Sequence, residues 1–466
     1  MISNESKPNV LNRIFGGFFG KYTASEADAQ RRRDPGNTIR SSDDLLDTSK
    51  RRRLMEGGRE LWRNYSVAAW AIRKHLDYVA TFNFQAQTDD DDLNRELESL
   101  FNWYNRSDNC DIAGRHTFRR LIRIAEARRV IDGDCFFVLL RDGRIQPIEG
   151  DRVQNPDVSR YSAEDRRKWV HGIKVGQGGR MQQASIYRRL THGRYEFERI
   201  INASNILQIA YWDSFDQIRG VSPLSAAIAS FQDVLEAKDY ALAKAKITQL
   251  FALAITREMA DFDDDDEQLD ETTPVVDFGR GPFKLELDPG ENASFLESKH
   301  PSTEFQSFMS MTLQAALKSL DLPWSFYDEA HTNFFGSKMA LTNYIQSCRA
   351  KRDDLRDVLN RITAWRLQKW IATGALTLPR GMTVGNLKWD WVAAGVPWWD
   401  VSKEIDGDIK TVQAGLRTLS EIRRERYGDD WRDVIRKRAE EQRFAEAEGV
   451  STVFDTIQTP NGGVQE

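Results

Sequence analysis

Apolar positions recur at helical spacing over three long stretches in the second half of the chain. From Pro223 onward Leu224, Ile228, Phe231, Leu235 and Leu242 share a face, and the pattern continues through Ile247, Leu250 and Phe251 without a Gly or Pro. Ser222 offers a side-chain acceptor to the first free amides, and Pro223 stands where a missing N–H loses nothing. The spacing predicts a rod of roughly thirty residues, about 45 Å long. A second stripe holds Phe305, Phe308, Met309, Leu313, Ala316, Leu317 and Leu320, and Asp321-Leu322-Pro323 stops it. A third helix is predicted from Ser337 to about 373, carrying Leu341, Tyr344, Ile345, Cys348, Leu355, Val358, Leu359, Ile362, Trp365 and Trp370. Between the first two rods, Phe283, Leu285 and Leu287 alternate with Lys284 and Glu286, the mark of a half-buried strand.

The first half mixes the two periods. Helices are predicted over 52–79, 93–104 and 115–129, the second with the acidic run 89–92 at its positive end. A buried strand is predicted over 130–140, and Asp142-Gly143 turns it into a partner through Ile145 and Ile148. Short strands follow at 170–175, 184–190, 195–200 and 206–211. Gly176-Gln177-Gly178-Gly179 lacks the Gly-Lys-Ser/Thr ending of a phosphate loop and reads as a hairpin turn. These elements predict an α+β fold. Near the other end, Trp389, Trp391, Trp398 and Trp399 alternate with apolar rather than basic neighbours, which favours core packing over base stacking. Residues 403–448 read as a highly charged helical tail broken at Gly428, and those from 459 as unfolded.

Length and charge narrow the function. At 466 residues the chain is too long for one core and suggests two or three domains. The formal net charge of −5 gives the whole molecule no strong hold on a polyanion. Residues 1–51 form a polar arm with Arg31-Arg32-Arg33 and Lys50-Arg51-Arg52-Arg53, predicted to be solvated, and one apolar patch, Ile14-Phe15-Gly16-Gly17-Phe18-Phe19. Cys110, Cys135 and Cys348 show no paired spacing, so no disulfide framework or zinc site is expected. No run of about eighteen apolar residues and no secretory pattern is present.

Candidate chemistry is sparse. The histidines His75, His116, His171, His192, His300 and His331 are scattered, and no cofactor site is expected. The run Asp261-Phe262-Asp263-Asp264-Asp265-Asp266-Glu267 lacks the central Gly of a calcium loop, and successive acids on a loop point in different directions. A metal-dependent nuclease using Asp263 and Asp265, and a non-ring virion scaffold or adaptor, stay open as alternatives.

Several motifs in order resemble one family. Gly220-Val221-Ser222-Pro223-Leu224, then Leu287-Asp288-Pro289-Gly290-Glu291 with Phe295 and His300-Pro301, then Phe305, Phe308 and Asp321-Leu322-Pro323, are similar to the portal proteins of lambda-type tailed phages. The likeness reaches back to Arg59-Glu60-Leu61-Trp62-Arg63-Asn64 and forward to Trp398-Trp399-Asp400-Val401-Ser402-Lys403-Glu404. It departs at Thr332-Asn333-Phe334-Phe335-Gly336-Ser337-Lys338, where Asn-Tyr-Ser-Ser with a nearby Arg is usual, and at Val401, where Pro is. The resemblance implies a non-enzymatic dodecameric ring at one capsid vertex of the virion, assembled in the host cytoplasm, through which double-stranded DNA is packaged and ejected.

The parts implied are an arm over 1–51, a wing over 52–221, a first stem helix over 222–252, a clip over 253–302 and a second stem helix over 303–323. A tunnel loop over 324–337, a long wing helix over 338–379 and a helical crown with its tail over 380–466 complete the portal fold. His331, Thr332, Asn333, Phe334, Phe335 and Lys338 are then the residues near DNA. Asp263, Asp264, Asp265, Asp266 and Glu267 become the clip face toward partners. Those partners are the terminase large subunit, the head–tail connector and the capsid or scaffold protein, with no membrane involved.

Overall fold

Tyr65 and Gly133 set the breaks from which the first half of the chain is assembled. The computed structural model describes residues 40–157, 159, 161–250, 253–257, 291–295, 303–328, 334–395 and 401–450, with backbone alone at 247–250, 253–257, 291–295 and 334. Helix α1 (Ser42–Leu45) is capped by Ser41, and α2 (Thr48–Asn64) by Asp47, whose carboxylate accepts from the Lys50 N–H. Tyr65 is extended, at φ −118° and ψ 105°, so the periodic stretch 52–79 is two helices, α2 and α3 (Ser66–Val79), rather than one. Its ring meets Phe231 edge-on at 5.7 Å, a tertiary contact that local periodicity does not contain.

After β1 (Phe82–Ala86) come α4 (Asp91–Tyr104), α5 (Ser107–Cys110) and α6 (Phe118–Asp132), with Asp90 and Thr117 as caps on α4 and α6. Gly133, at φ 94°, ends α6 in a conformation that side-chain-bearing residues rarely adopt. Val130 and Ile131 therefore close the helix, and the expected strand starts four residues late as β2 (Asp134–Leu139). It pairs antiparallel with β3 (Ile145–Glu149) through the Asp142-Gly143 turn.

A short helix α7 (Ala163–Arg167) leads to an antiparallel meander of β4 (Trp169–Val170), β5 (Ile173–Val175), β6 (Met181–Arg189) and β7 (Tyr195–Asn202). The stretch 170–175 is thus a hairpin and not one strand. His171 and Gly172, at φ 47° and 91°, form its two-residue turn. Residues 176–179 connect β5 to β6 as a turn, as their glycines suggest. Strand β8 (Ile206–Ala210) returns beside β2, giving the order β3–β2–β8.

One 3-10 turn, Pro223–Ala226, precedes α8 (Ile228–Leu250). Strands β9 (Leu253–Arg257) and β10 (Glu291–Phe295) pair antiparallel, and α9 (Thr303–Leu317) packs back along α8. The strand expected at 283–287 lies outside the described residues. The long helix α10 runs Phe334–Thr373, then β11 (Trp389–Ala393), α11 (Val401–Gln413), α12 (Leu419–Tyr427) and α13 (Trp431–Ala447). Gly415 and Gly428, both left-handed, break the charged tail twice rather than once.

Every residue of β2 is buried because it divides two cores. Cys135, Phe137 and Leu139 face the larger one with Ile72, Leu97, Phe101, Leu359 and Ile362, while Phe136 and Val138 face a smaller one with Ile173, Ala184 and Ile186. Strand β11 pairs antiparallel with β1 across about three hundred residues of sequence, so Trp389 and Trp391 lie on a strand. Trp391 is buried against Phe84, Phe101 and Phe118, and its indole N–H donates to Thr363 Oγ1 at 3.0 Å. That is the core role its neighbours suggested. Trp398 and Trp399 lie outside the described residues, as do residues 451–466. Cys110, Cys135 and Cys348 are buried free thiols, and burial pushes that of Cys110 up to about 12.

Candidate channel segment and its anchor

The root of α8 is the motif Gly220-Val221-Ser222-Pro223, and it is held by buried charge. Gly220 approaches Gly133 so closely that a Cβ on Gly220 would lie 2.0 Å from the Gly133 carbonyl oxygen. The approach lets the Gly220 N–H donate to Asp134 Oδ2 at 3.1 Å. Arg219 closes on the same carboxylate with Nε at 2.5 Å from Oδ2 and Nη2 at 2.8 Å from Oδ1. Its remaining N–H groups donate to the carbonyls of Gly150, Val153 and His171. Ser222 Oγ donates to the Val130 carbonyl at 2.6 Å and accepts from the Leu224 N–H at 3.1 Å, the capping role its place before Pro223 implied.

Burial by itself would raise the Asp134 carboxyl, but Arg219, Arg51 and the Gly220 N–H outweigh it and hold the group below the ordinary carboxylate range. Arg51 reaches the same spot from α2 and donates to the Gly220 carbonyl at 2.8 Å. Its burial, and the like charge of Arg219, draw its guanidinium down to about 10. Asp43 completes the cluster by accepting from the Ile218 N–H at 2.6 Å. Residues 41–51 are therefore part of the fold, in contrast to the solvated arm expected up to residue 51. Residues 1–39 lie outside the described residues.

The foot of α9 is fixed as firmly. Leu313, Ala316 and Leu317 are buried, and Asp321 turns left-handed at φ 60° so that Leu322 N–H reaches back to the Leu317 carbonyl at 3.2 Å. Lys351, from α10, donates to Asp321 Oδ2 at 2.7 Å. Residues 324–328, expected as the start of a loop, dock on α3 and α10 through aromatic rings. Tyr327 meets Trp70, and Phe326 meets Tyr78 and Tyr344. Behind them, His75, buried with Nε2 2.8 Å from Glu126, belongs to a chain of charge through Arg129 to Asp354.

Away from these feet the apolar faces are uncovered. On α8, Phe231 and Val234 are buried, but Tyr240 is 74% exposed and Leu242 49%. On α9, Phe308 and Met311 are 56% and 62% exposed.

The residues singled out from sequence are unevenly placed. His331, Thr332 and Asn333 lie outside the described residues, as do Asp263, Asp264, Asp265, Asp266 and Glu267. Phe334 opens α10, Phe335 is exposed, and both belong to a helical first turn where a loop was expected. Lys338 Nζ lies 2.8 Å from Glu404 Oε1, and the other oxygen of Glu404 faces Arg426 at 3.0 Å. The charge of Lys338 is therefore partly neutralised within the chain. Sequence reasoning missed Asp134, Arg219 and Arg51. The signal available was an acid directly after the helix-ending Gly133 and an Arg directly before Gly220. Among the described residues no group of three or more His, Cys, Asp or Glu is placed to hold a metal ion, and no helix is long and apolar enough to cross a membrane.

The family profile described as phage portal protein, lambda family, matches residues 29–352. The chain belongs to that family. It is also 22% identical over 408 residues to the probable portal protein of Halomonas phage phiHAP-1, covering 80% of this chain and 75% of that protein. Among solved structures it is similar to a chain in the virion of a native gene transfer agent particle, at TM-score 0.46 and 14% identity over 80% of this chain and 92% of that one. It is likewise similar to a chain in the neck of the native particle computed with C12 symmetry, at TM-score 0.45 and 13% identity over 81% and 93%. Portal proteins are structural parts of a phage particle, and here the Gly220-Val221-Ser222-Pro223 motif joins the packed residues around β2 to helices whose apolar faces are partly uncovered.

Proposed function

We propose that the protein assembles as a closed, dodecameric ring at one capsid vertex and forms the channel through which double-stranded DNA is packaged and later ejected. The observation that carries this reading is the uncovered apolar face of α8 and α9, with Tyr240, Leu242, Phe308 and Met311 exposed beyond feet that are tightly fixed. Exposed apolar surface of this kind is stabilised when an equivalent helix pair from a neighbouring copy covers it. An interface that joins different faces of identical copies closes into a ring when its rotation divides a full turn, and the reading takes it to do so.

In this reading residues 222–252 and 303–323 form the stem, and 253–302 the clip. Residues 324–337 approach the DNA, and 380–466 form the crown. A ring repeats each side chain, so one acid per copy becomes a circle of negative charge that keeps the duplex near the axis. His331, Asn333 and Lys338 supply weak phosphate contacts. Asp263, Asp264, Asp265, Asp266 and Glu267 face basic groups of the terminase and then of the head–tail connector.

Mass in solution by light scattering, with negative-stain images, tests the ring. Closed particles with a central hole are expected. Chains that stay monomeric alone and with capsid or scaffold protein would overturn the reading. Unaltered terminase binding after neutralising all five clip acids would remove that part of it.

A further inference from the structure

Phe215 holds its whole side chain in water, yet the loop that carries it is pinned. Behind the loop, buried Gln217 accepts through Oε1 from the Asp213 and Ser214 N–H groups at 2.9 and 3.3 Å. Its Nε2 donates to the Tyr211 and Arg219 carbonyls at 3.1 and 2.8 Å. Residues 212–216 are thereby fixed as a knob, with Phe215 at its tip and acidic Asp213 and Asp216 on either side. An aromatic anchor that is already ordered binds at low entropic cost.

A pocket of about 760 Å³ opens where α10 meets β11, α11 and α12. Leu341, Ile345 and Val392 line it, with Leu416 76% exposed at its lip. Seven basic and five acidic side chains also line it, an excess of two positive charges. Each of the five acids already bonds a group of its own chain, as Asp390 does Arg424 and Asp353 does Arg356. Arg349 is exposed, and Arg352 gives its Nε–H to the Tyr78 carbonyl at 2.7 Å. The knob lies on the other side of α10, because Trp212 lines a groove there with Arg361 and Trp365. At 3.6 residues per turn those two residues point about 150° away from Arg349 and Arg356. Knob and pocket therefore face apart in one copy.

We propose that the 212–216 knob of one copy seats in this pocket of the next, Phe215 against Leu341, Ile345 and Val392, and Asp213 and Asp216 toward Arg349 and Arg352. The two acids of the knob match the two excess charges of the pocket. A contact between unlike faces is head-to-tail, the kind that a ring repeats. The inference rests on the ring reading and gives it a second seam, apart from α8 and α9.

The test uses the full-length protein with Ser214→Cys and Gln346→Cys, both exposed positions, one on the knob and one on the pocket wall. The three native thiols are buried. Isotope-labelled and unlabelled chains are mixed before assembly, and rings are isolated by size and mildly oxidised. Mass spectrometry is expected to show the 214–346 disulfide between labelled and unlabelled chains. Rings that lack it, or hold it only within single chains, would overturn the seam and leave the ring reading standing; chains that form no ring would overturn both. As a second readout, Phe215→Ala is expected to raise the concentration for half assembly about tenfold in light scattering, with thermal unfolding of the unassembled chain unchanged. Unchanged assembly would overturn the seam as well.

Discussion

Strand β2 and helix α8 lie on either side of the Gly133–Gly220 contact and bury their apolar residues to opposite extents. All six residues of β2 are buried, and the adjacent charges meet inside one chain, Asp134 with Arg219 and Glu126 with Arg129, the latter carboxylate also meeting the His75 imidazole. On α8 apolar cover ends after its second turn, and Tyr240 and Leu242 are exposed. A single chain packs the residues around β2 completely. It leaves apolar positions on the long helices exposed, which neighbouring copies would cover in the proposed ring.

The largest effect is expected at the wing. Replacing Asp134 by Ala strands Arg219 and Arg51 without their shared carboxylate, and should lower unfolding free energy by about 3–5 kcal/mol in a denaturant titration. A loss under about 1 kcal/mol would show that the charges rearrange and that the wing is less rigid than argued.

Next, Leu317→Ala at the foot of α9 should destabilise the unassembled chain by about 2–5 kcal/mol, because it opens a cavity in the core. Phe308→Ala on the same helix should change it by no more than about 0.5 kcal/mol, yet reduce the assembled fraction measured by light scattering. Equal losses at both positions would erase the contrast between foot and shaft.

Acid should weaken the wing in two stages. His75, held neutral by burial against the pull of Glu126 and in the field of Arg129 and Lys351, has its folded value below the ordinary 6.5. The unfolded chain therefore takes up a proton first, and stability falls as pH drops through that value. Glu126 and Asp134 are both held low: burial raises each, but Arg129 and His75 outweigh it for the first, and Arg219 for the second. Their stabilisation is complete above the ordinary values of 4.5 and 3.8 and is lost as pH falls further. Unfolding midpoints against pH should show both limbs, and His75→Gln should remove the upper one while weakening the Glu126 share of the lower one, leaving the Asp134 share in place.

The smallest effect is expected at Lys338→Gln, which leaves Glu404 its Arg426 partner. The lysine side of the pair is 44% exposed, so its loss should shift stability by under about 1 kcal/mol in thermal unfolding. A larger loss would move the beginning of α10 from the uncovered region into the fixed one.

The helices of the second half were legible because a long apolar stripe carries its own period. Ser222 was legible as a cap because capping is local chemistry. The break at Tyr65, the helical end at Val130 and Ile131, and the pairing of β1 with β11 were not. Each is decided by a partner far away in sequence, Phe231 for the first, Gly220 for the second and Trp391 for the third. The anchor was hidden for the same reason. Asp134 and Arg219 are ordinary charges until folding removes both from water and aligns them.

By itself, then, the sequence determined the α+β character, the long amphipathic helices and the family, all of which follow from short-range periodicity and ordered motifs. Tertiary structure alone decided which charges are buried together, where helices stop and which apolar faces remain uncovered. Those outcomes depend on the dielectric and steric surroundings that only distant segments supply.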